Sequence, residues 1–240
     1  MIILAFDSTA KAASVAVTDD TKLLAQYDID NGLTQSELLL PMAENILKSL
    51  RLSFDDVELL ACSVGPGSFT GVRIGVALVK GIAFGKNIPC VSVSTLDSLA
   101  ENLSGLEGII DPCMDARRAQ VYNAIYRFKD GVLHKLTEDR AIAISDLADE
   151  LKQYEGERIY LSGDGYETAK RGLLANGVSV QDTPTLLINE SAYSVAKVAK
   201  EMYDKGLYGT DLEIAPTYLR MPQAERERLQ RLKAEASKEQ

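Results

Sequence analysis

Glycine and hydroxyl residues are concentrated in one stretch of the chain, Gly65-Pro-Gly-Ser-Phe-Thr-Gly-Val-Arg-Ile-Gly75. This stretch, called the glycine run below, lies between an apolar segment typical of a strand and another typical of a helix. Backbone N–H groups of such a turn point in one direction, so Gly67 and Ser68 stand where a phosphate or carboxylate would bind. The alternative is a tight turn whose glycines let a helix pack closely. The run lacks the Gly-Lys-Ser/Thr of a P-loop and the acidic spacing of a dinucleotide motif.

Acidic residues stand at the ends of predicted strands. Asp7 ends the first strand, with Thr9 close behind it, and Asp115 ends the first strand of a second, similar unit. Asp164 lies in a second glycine turn. In a two-lobed fold these carboxylates would converge on one cleft, where they hold Mg²⁺ and orient water. Ordinary turn chemistry, in which Asp accepts hydrogen bonds from nearby N–H groups, is the alternative for each. The predicted nucleotide or cleft residues are Asp7, Thr9, Gly67, Ser68 and Asp115.

Histidine and cysteine are too scarce for most metal and nucleophilic chemistry. The single histidine, His134, falls in a predicted hairpin strand, which excludes a His-x-x-x-His metal pair and argues against a Ser-His-Asp triad. Cys62, Cys90 and Cys113 are not spaced as metal ligands. Histidine and cysteine therefore offer no metal site, and we predict no catalytic residue and no resident metal ligand, with Mg²⁺ at the strand-end carboxylates kept as an alternative.

Composition limits the partners of the chain. With 26 Lys plus Arg against 35 Asp plus Glu, the formal charge is −9, so the protein does not hold nucleic acid through its overall charge. Any RNA contact needs a basic partner or a local basic patch. The start of the chain lacks the basic residues of a signal peptide, and no apolar stretch is long enough to span a membrane. We expect a cytoplasmic protein without membrane association.

The order of predicted elements indicates a duplicated α/β fold. The first unit reads as strands at 2–6, 14–18 and 22–28, a helix at 36–50, a strand at 57–64, a helix at 72–84, a strand at 90–93 and a helix at 96–103. The second reads as strands at 108–114, 119–128 and 132–137, a helix at 145–154, a strand at 158–161 and a helix at 167–174. A last helix, 191–207, would cross back to the first unit. The predicted lobes are 1–104 with 191–220, and 105–190, followed by a charged, mobile tail at 221–240.

Besides the glycine run, further segments along most of the chain match a known family. They are Ile3-Leu-Ala-Phe-Asp-Ser-Thr9, Ser36-Glu-Leu-Leu-Leu-Pro41, Val93-Ser-Thr-Leu96, Met114-Asp-Ala-Arg117 and Pro216-Thr-Tyr-Leu-Arg220. Over residues 1–220 the sequence resembles the TsaB (YeaZ) family, which takes part in making threonylcarbamoyladenosine in tRNA. The resemblance implies two lobes of the actin-like ATPase fold, the ribonuclease H-like ASKHA class shared with sugar kinases.

The resemblance also implies a non-catalytic role. The family is related to the threonylcarbamoyltransferase TsaD, which binds a metal through two histidines on its first long helix. Many TsaB members keep one histidine just before the Ser-Glu of that helix, whereas this chain has Gln35 there. Metal-assisted transfer by this chain is therefore not expected. The implied partners are a TsaD-type paralogue, a TsaE-type ATPase and, for the protein alone, a second copy. No cofactor is required, ATP or ADP can take part in the assembled complex, and tRNA is expected to be reached only through the complex.

The partner surface is expected on the helices 36–50 and 72–84, which are apolar on more than one face. Burial inside the lobe is the alternative for these faces. The first hypothesis is a scaffold that binds and activates a TsaD-type enzyme through this surface. On this hypothesis, Met42→Glu abolishes association without unfolding the protein. The predicted contact residues are Leu38, Pro41, Met42, Asn45, Val72, Arg73, Ile74, Val76 and Val79.

A second hypothesis is an ATPase or phosphotransferase of the actin-like class that acts alone. Asp7 would hold Mg²⁺ through water, and the turns at Gly65 and Gly163 would cradle phosphate. Against it, no acidic residue stands out as the base for water or a hydroxyl group. A metalloprotease is opposed by the single histidine.

Overall fold

Residues 1–220 are described by a computed structural model, so the predicted tail at 221–240 lies outside the described part. The helices are α1 Gln35–Ser49, α2 Phe69–Ala83, α3 Thr95–Asn102, α4 Ile144–Leu151, α5 Tyr166–Ala175 and α6 Ala192–Asp204. The strands are β1 Ile2–Asp7, β2 Ala13–Asp19, β3 Lys22–Ile29, β4 Leu59–Ser63, β5 Cys90–Val93, β6 Gly108–Asp115, β7 Gln120–Asn123, β8 Tyr126–Lys129, β9 Val132–Lys135, β10 Arg140–Ala143 and β11 Ile159–Ser162.

The first sheet is built around β1, in the strand order β3-β2-β1-β4-β5. β2 and β3 add to it as antiparallel neighbours, and β4 and β5 add on the other side as parallel ones. In this register Phe6 lies opposite Cys62, so the carboxyl ends of β1 and β4 meet at one edge. The glycine run, which follows β4, therefore lies beside the turn that follows β1.

Both faces of the first sheet are covered by helices. Successive side chains of a strand point to opposite faces. Leu4 and Phe6 accordingly belong to the cluster with α1 and α2, whereas Ile3 and Ala5 belong to the cluster with α6. A central strand with apolar residues at every position is what burial on both faces requires.

The second sheet resembles the first, but β7 and β8 together take the place of β2, and β9 and β10 together take the place of β3. Its order is β10-β7-β6-β8-β9, with β11 parallel to β6. β7 and β8 both run antiparallel to β6 in one register, so the predicted strand 119–128 is a single path interrupted at Ala124 and Ile125. The break arises because Ile125 bonds elsewhere: its N–H donates to Thr137 Oγ1, and its carbonyl accepts from the Leu136 and Thr137 N–H groups. β10, which pairs with β7, is missing from the prediction.

Helices α3 and α6 connect the two sheets. α6 packs on β1, β2, β4 and β5 of the first sheet and against α3, which in turn packs on β6 of the second. Helices α4 and α5 cover the other face of the second sheet. The predicted element order is thus found in both units, apart from the broken strands. Within residues 1–220, no helix is both long and apolar enough to cross a bilayer.

The glycine run packs directly against the turn after β1. A Cβ atom added to Gly67 would overlap the Thr9 carbonyl oxygen, and one added to Gly71 would overlap the Ser8 carbonyl oxygen. One turn further along α2, a Cβ on Gly75 would lie 2.6 Å from Ser8 Oγ. The start of α2 lies ahead of the predicted one because Ser68 caps it, its Oγ accepting from the Gly71 N–H at 3.2 Å. The glycine run was explained either as an anion-binding turn or as a tight turn that lets a helix pack closely. These glycines allow the close helix packing of the second explanation.

Substitution of Gly71 tests this packing. We expect Gly71→Ala to lower the free energy of unfolding by about 2 kcal/mol or more, because the new methyl group meets backbone rather than a movable side chain. Gly81→Ala is the matched control, since a Cβ there has no neighbour within 4 Å among residues 1–220, and should raise stability by up to about 1 kcal/mol. Urea unfolding of the two variants measures both values. Equal stabilities would show that α2 does not need the glycine.

Candidate functional site

An open cleft between the lobes brings the predicted loop residues together. Its larger part has a volume of about 510 Å³ and continues into a second part of about 320 Å³. Lys11, Asp115, Arg117 and Asp164 line both parts. The larger part is also lined by Ala10, Gln35, Gly67, Ser68, Phe69, Ala116, Tyr122, Tyr218 and Arg220. Of the predicted cleft residues, Gly67, Ser68 and Asp115 reach this space.

Asp7 and Thr9 lie beneath the cleft and do not line it. Asp7 is 1% exposed, and its carboxylate accepts from the Thr9 N–H at 2.9 Å, from Thr9 Oγ1 at 2.7 Å and from Ser63 Oγ. Burial raises the pKa of Asp7, while these hydrogen bonds favour its ionised form. Asp7 therefore ties the ends of β1 and β4 together. The structure corrects the placement of Asp7 and Thr9 in an open ligand site.

Asp115 and Asp164 do meet in the cleft. Asp164 Oδ1 accepts from the Asp115 N–H at 2.8 Å, and Asp115 Oδ1 accepts from the Arg117 N–H at 2.7 Å. The Arg117 guanidinium pairs with Asp115 Oδ2 at 3.1 Å. Both carboxylates thus have local partners, as the turn-chemistry alternative expects. Within residues 1–220, no three His, Cys, Asp or Glu side chains lie close enough to hold a metal ion.

Glu190 is a buried acid that sequence reasoning missed. It lies just before α6, lines the smaller part of the cleft and is only 6% exposed. Among the described residues, its Oε1 atom has no hydrogen-bond partner. Burial, followed by the nearby charge of Asp7, raises the pKa of Glu190 to about 8. It carries no sequence motif, and only the long-range packing of α6 identifies it.

The segment 216–220, called the closing segment, joins the two lobes along the edge of the cleft. The Thr217 N–H donates to the Val64 carbonyl oxygen at 2.8 Å in the first lobe. The Tyr218 hydroxyl accepts from Arg73 Nε at 2.7 Å, which ties the segment to α2. At its end Arg220 donates to Gln120 Oε1 at 2.7 Å, in the second lobe.

The structure corrects the predicted partner contacts on α1 and α2. Leu38, Met42, Val72, Val76 and Val79 are buried in the core of the first lobe, where they pack under the sheet and cannot reach a partner. Pro41, Asn45 and Arg73 are exposed, and Ile74 is half-buried. Met42→Glu is therefore unsuitable as a test, because it would place a carboxylate in the core and unfold the lobe.

The outward face of α2 is nevertheless poor in charge. Its exposed or half-buried residues after Arg73 are mostly small or apolar: Ile74, Ala77, Leu78, Gly81 and Ile82. Phe84, at the end of the helix, is 78% exposed, and Leu40 on the neighbouring α1 is 40% exposed. This surface, called the α2 face below, is apolar and only partly covered within residues 1–220, where Ile74, Leu78 and Ile82 each keep some surface exposed.

Comparison with known proteins places the chain in a family. Residues 34–226 match the family model for tRNA N6-adenosine threonylcarbamoyltransferase, TsaD. The Escherichia coli protein named "tRNA threonylcarbamoyladenosine biosynthesis protein TsaB" is 30% identical over 92% of this chain and 95% of its own length. The chain belongs to the TsaB family. The TsaB protein of Bacillus subtilis is 29% identical over 94% of this chain and 96% of its own length.

Solved structures of TsaB relatives have the same fold. YeaZ from Pseudomonas aeruginosa superimposes with a TM-score of 0.75 at 23% identity, covering 91% of this chain and 99% of YeaZ. A Pseudomonas aeruginosa protein described as similar to peptidase YeaZ gives 0.77 at 24% identity over the same shares. Together with the repeated units of the two lobes, these matches confirm the predicted duplicated α/β fold.

The raised pKa of Glu190 predicts that this residue lowers the free energy of unfolding at high pH. In the folded protein this carboxyl stays protonated up to about pH 8, whereas in the unfolded chain it ionises near 4.5. The folded state therefore loses stability relative to the unfolded state as the pH rises through this window. We expect Glu190→Gln to unfold at higher urea than the parent protein at pH 8, by more than about 1 kcal/mol. At pH 4.5 the two proteins should be alike, and an equal difference at both pH values would contradict this account.

Proposed function

We propose that this chain is a non-catalytic subunit in the formation of threonylcarbamoyladenosine in tRNA, and that it binds and activates a TsaD-type threonylcarbamoyltransferase. The observation that carries the proposal is the α2 face, which is apolar, partly exposed within residues 1–220 and presented on a closely packed helix. The names of the TsaB relatives from Escherichia coli and Bacillus subtilis supply the pathway.

The α2 face suits a second helix as its partner. Gly81 is exposed in the last turn of α2, where glycine is a weaker helix former than alanine. The lobe itself has no atom near this position, so its own packing does not require the missing side chain. Small residues such as Ala77 and Gly81 let a neighbouring backbone approach closely. Burial of Leu78, Ile82 and Phe84 against that partner would supply the apolar free energy of association.

Two features support the absence of catalysis. The Asp7 carboxylate is buried and engaged by Thr9 and Ser63, so it is not available to hold Mg²⁺ through water. Gln35, which lines the cleft, donates to the Ala10 carbonyl oxygen at 2.8 Å and has no ring nitrogen to offer a metal. This chain would require no cofactor of its own, and ATP or ADP would act in the assembly.

The other partners follow from the same surface. Alone, the protein would form a homodimer through the α2 face, and the TsaD-type enzyme would replace one copy. A TsaE-type ATPase would join the assembled pair. The enzyme would carry the main tRNA-binding surface, because the chain is acidic overall with a formal charge of −9.

Ala77→Arg tests the α2 face. The substitution places a long charged side chain at an exposed position, so it should leave the thermal midpoint of the monomer unchanged. We expect it to weaken association with the TsaD-type enzyme of the same organism by about 30-fold or more, the loss of a central contact. Size-exclusion chromatography with light scattering, on the protein alone and on the mixture, measures this. The threonylcarbamoyladenosine content of tRNA in cells carrying only this variant should fall in parallel.

Ala175→Arg is the matched control, because Ala175 is exposed on α5 in the other lobe. It makes the same change of charge and size away from the α2 face, and its complex should form as in the parent protein. An intact complex with Ala77→Arg would remove the α2 face from the proposal. Normal modification of tRNA without any complex would remove the docking role altogether.

A further inference from the structure

Cations gather at the mouth of the cleft in a protein that is otherwise acidic. Lys11, Arg117 and Arg220 line the larger part of the cleft together with the carboxylates of Asp115 and Asp164, and the exposed Arg118 follows Arg117 in the same turn. Arg73 reaches the same edge through its hydrogen bond to Tyr218. A local cluster of this kind is unexpected on a chain with a formal charge of −9, and local clusters are what bind polyanions.

Most of these charges are not neutralised within the part of the chain that the structure describes. There, Lys11, Arg73, Arg118 and Arg220 have no carboxylate within 4.0 Å, and only Arg117 forms a pair, with Asp115. Elsewhere the pattern differs, since Lys135 contacts both Asp97 at 2.8 Å and Asp139 at 2.6 Å. Within residues 1–220, Lys11, Arg73, Arg118 and Arg220 thus leave their charges open to an outside anion.

Aromatic rings lie among the same cations. The rings of Phe69 and Tyr218 are stacked with centroids 5.3 Å apart, and these residues keep 41% and 42% of their surface exposed. The Arg73 guanidinium lies 3.8 Å from the Phe69 centroid, and that of Arg220 lies 5.7 Å from the Tyr122 centroid. Exposed rings beside unpaired guanidinium groups provide stacking surfaces and charge at one place.

The turn that carries the arginines has a strained backbone. Arg117, Arg118 and Ala119 all have positive φ, at 64°, 55° and 54°. Left-handed conformations cost about 1–2 kcal/mol for each residue with a side chain. Such strain persists where surrounding structure enforces it, commonly at functional sites. Here it holds Arg117 with 87% of its side chain exposed beside the cleft.

We propose that this cleft mouth is a contact surface for unpaired nucleotides of an RNA. Phosphate groups would bind Lys11, Arg117 and Arg118, and a base would stack on the pair formed by Phe69 and Tyr218. Binding of a single strand follows from these residues alone. The choice of RNA over DNA rests on the proposed role in tRNA modification. This surface adds a contact to the one that the enzyme partner supplies.

Binding of a labelled single-stranded oligoribonucleotide of about twelve nucleotides to the full chain alone tests the proposal. Fluorescence anisotropy between about 50 and 200 mM salt should give a dissociation constant in the micromolar range that rises steeply with salt. Lys11→Gln with Arg118→Gln should weaken binding about tenfold and make the slope of log K against log salt shallower by about 1.4, since each phosphate contact on a single strand contributes about 0.7.

Two further variants separate local contacts from bulk charge and from stacking. Lys22→Gln with Lys129→Gln removes the same charge at exposed positions of the β2–β3 and β8–β9 hairpins, which do not line the cleft, and should leave affinity unchanged. Tyr218→Leu should weaken binding at least fivefold while keeping the salt slope, because a stacked base is lost but no phosphate contact. Circular dichroism confirms that each variant is folded.

Several results would overturn the proposal. The first is no binding at the lowest salt, and the second is equal weakening by the control pair. The third is full displacement of the RNA by ATP at the same concentration as the RNA, which would indicate a mononucleotide site. Equal affinity for DNA of the same sequence would overturn the choice of RNA. Since only this chain is present and the α2 face is unchanged in the charge variants, these failures are distinct from a failure to bind the TsaD-type enzyme.

Discussion

The contact between the glycine run and the turn after β1 is the constraint on which the rest of the structure depends. Gly67, Gly71 and Gly75 replace side chains with hydrogens at the positions where α2 meets Ser8 and Thr9. This close approach fixes α2 on the first sheet and is joined by the hydrogen bond from Ser8 Oγ to the Gly71 carbonyl oxygen at 2.8 Å. The Asp7 carboxylate below it is closed off by Thr9 and Ser63. Asp7, at the end of β1, therefore has a structural role in this contact. The same contact determines which side of α2 faces outward.

A fold of this kind can serve binding without chemistry. The cleft between the lobes is lined by loop residues and by the hydrogen-bonded carboxylates of Asp115 and Asp164, while the buried Asp7 lies beneath it and Glu190 lines its smaller part. What remains exposed on rigid elements is the α2 face and the cationic, aromatic mouth of the cleft. The cleft mouth lies at the amino end of α2, and the α2 face runs along the same helix. The closing segment connects the two surfaces through the hydrogen bond between Tyr218 and Arg73. A partner on α2 and a ligand at the cleft mouth would therefore contact adjoining surfaces.

Local patterns in the sequence identified the elements but not their burial. Strand and helix order followed from apolar periodicity and from turn residues, so both units of the fold were predictable. The interruption at Ile125 was not, because it depends on hydrogen bonds to Leu136 and Thr137 that only the folded sheet creates. Met42 and Val76 were assigned to a partner surface, since a helix apolar on several faces does not reveal which face meets its own sheet. Glu190 carries no local pattern either, because its burial and its closeness to Asp7 come from contacts between residues far apart in the chain.

Hydrogen–deuterium exchange of this protein alone and in mixture with the TsaD-type enzyme of the same organism tests the central claim most directly. The account predicts that protection on mixing is concentrated in peptides covering α2, residues 69–83, and the first half of α1, with helices α4 and α5 unchanged. The second lobe serves as the internal reference in the same sample. Complex formation with protection confined to the second lobe, and none on α2, would contradict the account.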